Sequence, residues 1–313
     1  MTRHLFILNP AAGRQDKTAS LSQTIESLML NEPYDIFITS AAFDAEKESK
    51  RYLEEHKDDF VRIYACGGDG TLSEVANGVF ASGNKNCAIG VVPVGSGNDF
   101  VRCFDGPNDR FTNLLNLTKG EILDVDLLKA EDDDGNVRVS LNIISAGFDA
   151  AVAKGQQAFK KLPFVNGSTA YNISLVKCLF SSLKNYFSIL VDGEPFGNDK
   201  NGPYLFTIAA NGKYYGGGFK AAPFSDIRDG LLDLIRIDTL PRLRFINLVG
   251  KFRKGKYIHE NPDVVSFTRC KEMQILSEKP IDLNLDGEIY PMKNPKIQIM
   301  PRAINLILPK TED

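Results

Sequence analysis

Over the first 125 residues, short apolar runs of β type take turns with helical patterns, and each run ends in a polar or glycine-rich loop. The runs are Leu5–Leu8, Tyr34–Ile38, Val61–Ala65 and Ala88–Val92, and the helical stretches between them are Thr18–Leu30, Ala45–Glu55 and Leu72–Phe80. This rhythm predicts a parallel sheet with right-handed crossovers, in which ligands bind beyond the carboxyl ends of the strands. Those ends carry Asn9-Pro10-Ala11-Ala12-Gly13, Thr39, Gly67-Gly68-Asp69-Gly70 and Gly95-Ser96-Gly97. The glycine-rich loops therefore fall where a ligand is expected.

From about Asp124 the pattern changes to β runs punctuated by Asp134-Gly135, Asp192-Gly193 and Asp229-Gly230, which read as hairpin turns. The runs Val137–Ile144, Phe187–Val191, Tyr204–Ala210, Leu231–Ile237, Met273–Leu276 and Ile281–Leu285 predict a mainly antiparallel β-sandwich or open barrel, with helical insertions at Tyr171–Leu183 and Leu243–Lys254. A chain of 313 residues exceeds one ordinary core. The expected division is an α/β domain over 1–124, a β-rich domain over 125–300 and a final strand within 301–313, Ala303–Leu308, that closes the second domain or returns to the first. A cleft between the domains is then a natural site.

Net charge −3 and a pI near 5.8 argue against a nucleic-acid partner, which calls for a positive surplus. The five cysteines (Cys66, Cys87, Cys103, Cys178, Cys270) lie far apart with no CxxC pair and read as reduced thiols in a cytoplasmic protein. The amino terminus runs into a strand pattern without a signal-like apolar core, and no stretch reaches the roughly 20 apolar residues that span a bilayer.

The segment Gly67-Gly68-Asp69-Gly70-Thr71-Leu72-Ser73-Glu74 follows a strand and opens a helix, so glycine amides and a helix amino terminus converge on one spot, an anion site suited to phosphate. Asp69 beside a phosphate reads as a residue linked to Mg²⁺; the plain alternative is a tight turn in which Asp69 caps the helix. Gly95-Ser96-Gly97-Asn98 completes the cradle, and Phe100 where a third glycine is required rules out a dinucleotide fingerprint. A near Walker A, Gly250 to Lys256, is rejected because Tyr257 stands where Ser or Thr must ligate Mg²⁺.

In the second domain, Asp226 and Asp229 place two carboxylates in one turn, either a cation site or a solvated Asp-Gly turn. Asp286-Gly287-Glu288 ends an alternating strand in a turn with two acids. Lys251, Arg253, Lys254 and Lys256 form a local basic cluster, read as a solvated helix face or as a contact for anionic lipid headgroups. Leu175, Leu179 and Phe180 read as core or as the lining of an acyl-chain groove.

Asn9-Pro-x-x-Gly13, Gly67-Gly-Asp-Gly-Thr71 with Glu74 and Asn77-Gly78, and Pro93-x-Gly-Ser-Gly-Asn-Asp-Phe100 together resemble the catalytic domain of the bacterial diacylglycerol kinases and their sphingosine kinase relatives. The similarity continues through Ala222-Pro223, Asp226-x-x-Asp229-Gly-Leu231 and Asp286-Gly-Glu288 and so covers essentially the whole chain. It implies an ATP- and Mg²⁺-dependent lipid kinase acting at the inner face of the membrane, with a lipid substrate as its partner and a homodimer as one option for assembly. It implies ATP contacts from Asn9 to Gly13, Thr39, Gly67 to Glu74 and Gly95 to Asn98, and a structural Mg²⁺ on Asp226, Asp229 and the Leu231 carbonyl. It implies that Asp286 and Glu288 share the role of general base, either acid being the proton acceptor, and such a mechanism calls for the second domain to close toward the first in turnover. Two departures from the family pattern are Ser96 in place of Thr and Phe43 in place of Gly before Asp44.

Overall fold

The computed structural model describes residues 1–148, 150–152, 184–197 and 202–310; the expected helix Tyr171–Leu183, with Leu175, Cys178, Leu179 and Phe180, lies outside them. The chain divides into two compact units, Met1–Val125 with Arg302–Asp313, and Asp126–Pro301.

The first unit is α/β. Strands β1 (Thr2–Leu8), β2 (Tyr34–Ile38), β3 (Phe60–Gly67) and β4 (Cys87–Pro93) alternate with helices α1 (Thr18–Ser27), α2 (Asp44–Glu55) and α3 (Asp69–Ser82). A short helix α4 (Leu114–Thr118) leads to β5 (Glu121–Glu131). The strands lie in the order β2-β1-β3-β4, all parallel, and the end of the long final strand β16 (Lys296–Leu308) pairs parallel with β4 through Leu306 and Ile307. Phe6, Leu8, Tyr64, Cys66, Ala88 and Val92 pack with Ile25 of α1 and with Leu114 and Leu117 of α4. Strands buried on both faces read as continuous apolar runs, which is why β1, β3 and β4 stand out in the sequence; β2 at the sheet edge is more exposed.

The second unit is an antiparallel sandwich. Its strands are β6 (Val137–Ser140), β7 (Ile143–Gly147), β8 (Ser188–Val191), β9 (Glu194–Pro195), β10 (Tyr204–Ala210), β11 (Leu232–Asp238), β12 (Val265–Cys270), β13 (Glu272–Leu276), β14 (Ile281–Leu285) and β15 (Glu288–Met292). One sheet has the order β12-β11-β10-β7-β14-β15. The other strands of the unit are β8, β9, β13 and the start of β16, with β5 and β6 paired beside them. Leu232 and Leu234 of β11 join Ile144, Leu283, Leu285, Met273 and Ile275 in the core between the layers. The alternate residues Ile235 and Ile237 face a second core with helices α5 (Arg242–Arg253) and α6 (Tyr257–Glu260), through Phe245, Leu248, Phe252 and Tyr257.

Several expectations are corrected. Val137–Ile144 is two strands, because the chain turns at Leu141-Asn142. Asp229-Gly230 is not a hairpin turn: β10 and β11 are joined by residues 211–231, and Gly230 precedes the strand. Helix α1 stops at Ser27, and α3 begins at Asp69 rather than Leu72. Ala303–Leu308 is the end of a strand of 13 residues. Gly250 sits inside α5, which agrees with rejecting a phosphate loop there. Cys66, Cys87, Cys103 and Cys270 are free thiols, and burial pushes the thiols of Cys87 and Cys270 up to about 12.

Candidate functional site

In the first unit three loops meet at the carboxyl ends of β1, β3 and β4. The Asn9 side chain closes its own turn on the Ala11 amide at 2.9 Å and donates to Thr71 Oγ1 at 2.9 Å. Gly13 has φ +78, and a Cβ there would strike the Val94 carbonyl. Gly68 and Gly95 stack backbone on backbone: a Cβ on Gly95 would run into the Gly68 Cα, and one on Gly68 would lie 3.3 Å from the Gly95 Cα. Only glycine lets two main chains approach so closely. The amides of Val94 and Gly95 both donate to the Gly67 carbonyl, at 2.9 and 3.1 Å.

Asp69 spans this contact. Its Oδ1 accepts from the amides of Asp99 at 2.8 Å and Phe100 at 3.3 Å, and its Oδ2 lies 2.7 Å from where a Cβ on Gly97 would be. The carboxylate therefore ties the first glycine loop to the second. The cap of α3 is Gly68, with no side-chain cap bond, which corrects the reading of Asp69 as a helix cap. An α3 amino terminus without a side-chain cap leaves first-turn amides for an anion. Asn98, at φ +51, donates to the carbonyls of Pro93 and Gly95, while its Oδ1 is enclosed without a hydrogen bond among the described residues. The cradle of glycine backbone and helix amides suits the phosphates of a nucleotide.

The remaining first-unit residues divide by orientation. Thr71, Leu72 and Ser73 have buried side chains, so of these three only the backbone is available to a ligand. Pro10 is half-buried, Ala11 exposed and Ala12 buried; Ser96 is exposed at the loop tip. Thr39 is buried, and its amide donates to the Leu8 carbonyl at 3.0 Å. Glu74 accepts from the amides of Phe43 at 2.9 Å and Ala45 at 3.1 Å, so it caps α2 from a neighbouring helix, and burial pushes its carboxyl up despite those bonds. Phe43 takes φ +66, the backbone a glycine adopts without strain.

In the second unit, Asp286 and Gly287 form the two-residue turn between β14 and β15, both at positive φ. The Asp286 carboxylate is held by donors far away in sequence: Oδ1 accepts from Ser140 Oγ at 2.7 Å and the Ile143 amide at 2.9 Å, and Oδ2 from the Leu141 amide at 3.1 Å. Burial raises its carboxyl above the usual range, against those bonds. Glu288 opens β15 opposite Leu285. Ser140, which no motif singles out, is a site residue that sequence reasoning missed; the Ser140–Asp286 contact spans 146 positions.

Asp226 and Asp229 each accept a hydrogen bond from an amide two residues on, Arg228 and Leu231, both at 3.0 Å. Asp229 Oδ2 also pairs with Arg269 at 3.3 Å, and Arg269 bonds Asp233 Oδ1 at 3.0 Å. Among the described residues no group of three His, Cys, Asp or Glu side chains is placed to hold a metal. Asp229 is balanced here by a guanidinium, so a Mg²⁺ held by this turn has to displace Arg269.

The diacylglycerol kinase catalytic domain model matches residues 3–130, and the YegS C-terminal NAD kinase beta sandwich-like domain model matches residues 142–308. The chain is 27% identical over 321 residues to the diacylglycerol kinase of Bacillus subtilis, covering 99% of this chain and 97% of the relative. It is 29% identical over 318 residues to a probable YegS-like lipid kinase of Xanthomonas oryzae pv. oryzae, covering 97% and 95%. A crystal structure of a diacylglycerol kinase from Bacillus anthracis superposes with a TM-score of 0.65 at 20% identity, over 97% of this chain and 96% of that one, and shows the same fold.

Proposed function

The chain belongs to the bacterial diacylglycerol kinase and lipid kinase family, and on that premise we propose that it transfers the γ-phosphoryl group of ATP to a lipid hydroxyl, converting diacylglycerol to phosphatidic acid. The observation that carries the reading is the cradle in which Gly68 and Gly95 touch and Asp69 locks the two loops at the α3 amino terminus. Phosphoryl transfer asks the protein for alignment and charge stabilisation rather than covalent chemistry. The lipid oxygen bonds to the γ-phosphorus, the bond to the bridging oxygen breaks to leave ADP, and the hydroxyl proton passes to a carboxylate.

Amides of Gly67 to Thr71 and Ser96 to Asn98 hold the phosphates. Mg²⁺ accompanying ATP would neutralise phosphate charge near Asp69. The acids Asp286 and Glu288 take the proton. Asp286 accepts from Ser140, Leu141 and Ile143, which fixes the orientation of its carboxylate. Its raised carboxyl makes it a stronger base once ionised. A structural Mg²⁺ on Asp226, Asp229 and the Leu231 carbonyl is part of the proposal, supported by two carboxylates in one turn; it must displace Arg269, and no step runs through it. We place the enzyme on the inner face of the membrane as a peripheral protein; among the described residues no helix is long and apolar enough to cross it.

The test is ATP consumption with diacylglycerol, ceramide, a sphingoid base and a polyprenol in mixed micelles, and with NAD in solution. ADP and phosphatidic acid from the diacylglycerol arm are expected. Turnover with NAD alone would move the reading to a soluble-substrate kinase, and no turnover with any acceptor would leave a non-catalytic sensor.

A further inference from the structure

Between Asp238 and Glu260 the chain has no acidic residue and carries Arg242, Arg244, Lys251, Arg253, Lys254 and Lys256, in a protein whose net charge is −3. Helix α5 and the turn after it account for all six. One face of α5 is locked into the unit: Phe245, Leu248 and Phe252 are buried, with Phe252 packed against Phe206, Tyr215, Phe219 and Tyr257. The opposite face is exposed and includes two large apolar side chains one turn apart, Leu243 at 85% and Ile246 at 58% exposure. Arg242, Arg244, Arg253 and Lys254 are exposed on the same helix and its end. Arg244 is paired with Asp263 at 2.6 Å, and Lys251 with Glu260 at 3.2 Å.

We propose that the outer face of α5 is the surface by which this protein docks on an anionic phospholipid bilayer, Leu243 and Ile246 entering the acyl boundary while Arg242, Arg253, Lys254 and Lys256 reach the headgroup phosphates. A rigid helix with exposed aliphatic side chains among Lys and Arg is what an interfacial helix needs: the apolar pair gains from leaving water, and the long cationic stems reach back to the phosphates. Charge decides the occupant. A second copy laid on the same face would set cation against cation, whereas an anionic bilayer complements it. A purely polyanionic ligand would gain nothing from Leu243 and Ile246. The inference rests on the lipid-kinase reading for its purpose, since a lipid substrate brings the enzyme to a surface, and not for its geometry.

The experiment measures flotation of the full chain with phosphatidylcholine vesicles and with vesicles containing phosphatidylglycerol, alongside phosphorylation of a dispersed short-chain diacylglycerol. Wild type should favour the anionic vesicles and be released as salt rises from about 0.1 to about 1 M and the Debye length falls from about 10 to about 3 Å. L243Q/I246Q should bind the anionic vesicles about tenfold or more weakly, with an unchanged melting temperature and unchanged turnover of the dispersed substrate. R242E/K254E should lose about fivefold per charge removed together with the salt dependence. Equal binding of wild type to both vesicle types overturns the proposal. So does wild-type binding by L243Q/I246Q, which would leave a plain polyanion site, or loss of a dimer in that variant by sedimentation, which would make the face a contact between copies. If wild type phosphorylates no lipid yet floats as described, the kinase reading fails and the docking surface stands.

Discussion

The two regions assigned to phosphate and to proton are built in opposite ways. The cradle of the first unit is main chain: Gly68 against Gly95, Gly13 against the Val94 carbonyl, amides at the end of a helix, and one carboxylate, Asp69, used as a tie. The acid turn of the second unit is a side chain enclosed by main chain, with Asp286 held by Ser140, Leu141 and Ile143. A backbone site demands the absence of side chains at fixed points. A carboxylate site demands donors brought from elsewhere in the fold.

Glycine substitutions break the comparison most sharply. Gly95→Ala puts a Cβ into the Gly68 main chain, which has no flexible end to give way, whereas nothing lies within 4 Å of a Cβ on Gly287 in the acid turn. Gly95→Ala should therefore abolish ATP-dependent turnover, at least about 10²-fold in kcat/KM, with a lowered melting temperature. Gly287→Ala, at φ +102, should cost only about 1 kcal/mol of backbone strain and remain active. Steady-state kinetics and melts on both decide, and equal behaviour would mean that the cradle is not made by main-chain contact.

The next largest effect lies in the acid turn. Asp286→Asn removes basicity, so kcat with lipid should fall by roughly 10²–10⁴-fold while ATP binding holds; the melting temperature should fall too, because the new NH2 faces a backbone N–H that the carboxylate accepts. Glu288→Gln belongs beside it, since neighbouring acids can share a proton. Full kcat in Asp286→Asn with loss in Glu288→Gln exchanges their roles; wild-type rates in both make the turn structural.

The same contrast explains what could be read from the sequence. A main-chain cradle leaves its mark in one dimension, as glycines at strand ends, and the strand Tyr34–Ile38 and the end of helix Ala45–Glu55 stand where the pattern puts them. Boundaries failed where polar residues sit inside elements: Asp69 opens α3 because its carboxylate is occupied across the loop contact, so no apolar spacing marks that first turn. In the sandwich, β5, β12 and β15 did not stand out. Strand β15 contains Pro291 with β14 as its partner, and β12 is only partly buried along its middle, so neither shows clean alternation. The donors to Asp286 and the Arg269 bridge between Asp229 and Asp233 join residues that only folding brings together.

Asp233 separates burial from chemistry, because it is an enclosed acid in the second unit with no part in the proposed reaction. It faces Arg269 across β11 and β12, and burial pushes its carboxyl up to about 6 in spite of that guanidinium, with Asp229 adding to the rise. Between the unfolded value of about 3.9 and about 6 the native state holds the proton more tightly, so stability falls as pH rises through this window, by up to about 3 kcal/mol. Asp233→Asn should gain on wild type in melts as pH goes from about 4 to above 6, with unchanged kcat. A constant difference across that range would show that Asp233 is ionised throughout.

The proposed metal turn gives a smaller effect. If Mg²⁺ displaces Arg269 from Asp229, saturating Mg²⁺ should stabilise wild type by about 2–3 kcal/mol over chelator at roughly a hundred times its dissociation constant, and Asp229→Ala should lose the increment. A wild-type melt indifferent to both leaves Asp229 paired with Arg269 and no metal on that turn.

The smallest effect tests how each region carries left-handed backbone. Asn98 in the cradle and Asp286 in the acid turn take positive φ with short polar side chains, the types that tolerate it best, whereas Phe43 takes φ +66 beside the cradle with a bulky one. The Glu74 carboxylate accepts the Phe43 amide at 2.9 Å and so helps hold this backbone. Phe43→Gly alone would mix relief of strain with loss of the ring, so the informative comparison is with Phe43→Ala, which also lacks the ring. At an ordinary site Ala is more stable than Gly by about 0.4–1 kcal/mol, because glycine leaves the unfolded chain freer. At a left-handed site the order should invert, with Phe43→Gly more stable than Phe43→Ala by about 1 kcal/mol. The Glu74→Gln background should shrink the inversion, because the weaker acceptor lets the loop relax. If Phe43→Ala is the more stable of the two, the loop carries no strain, and Glu74 is a cap for α2 without a hold on the Phe43 backbone.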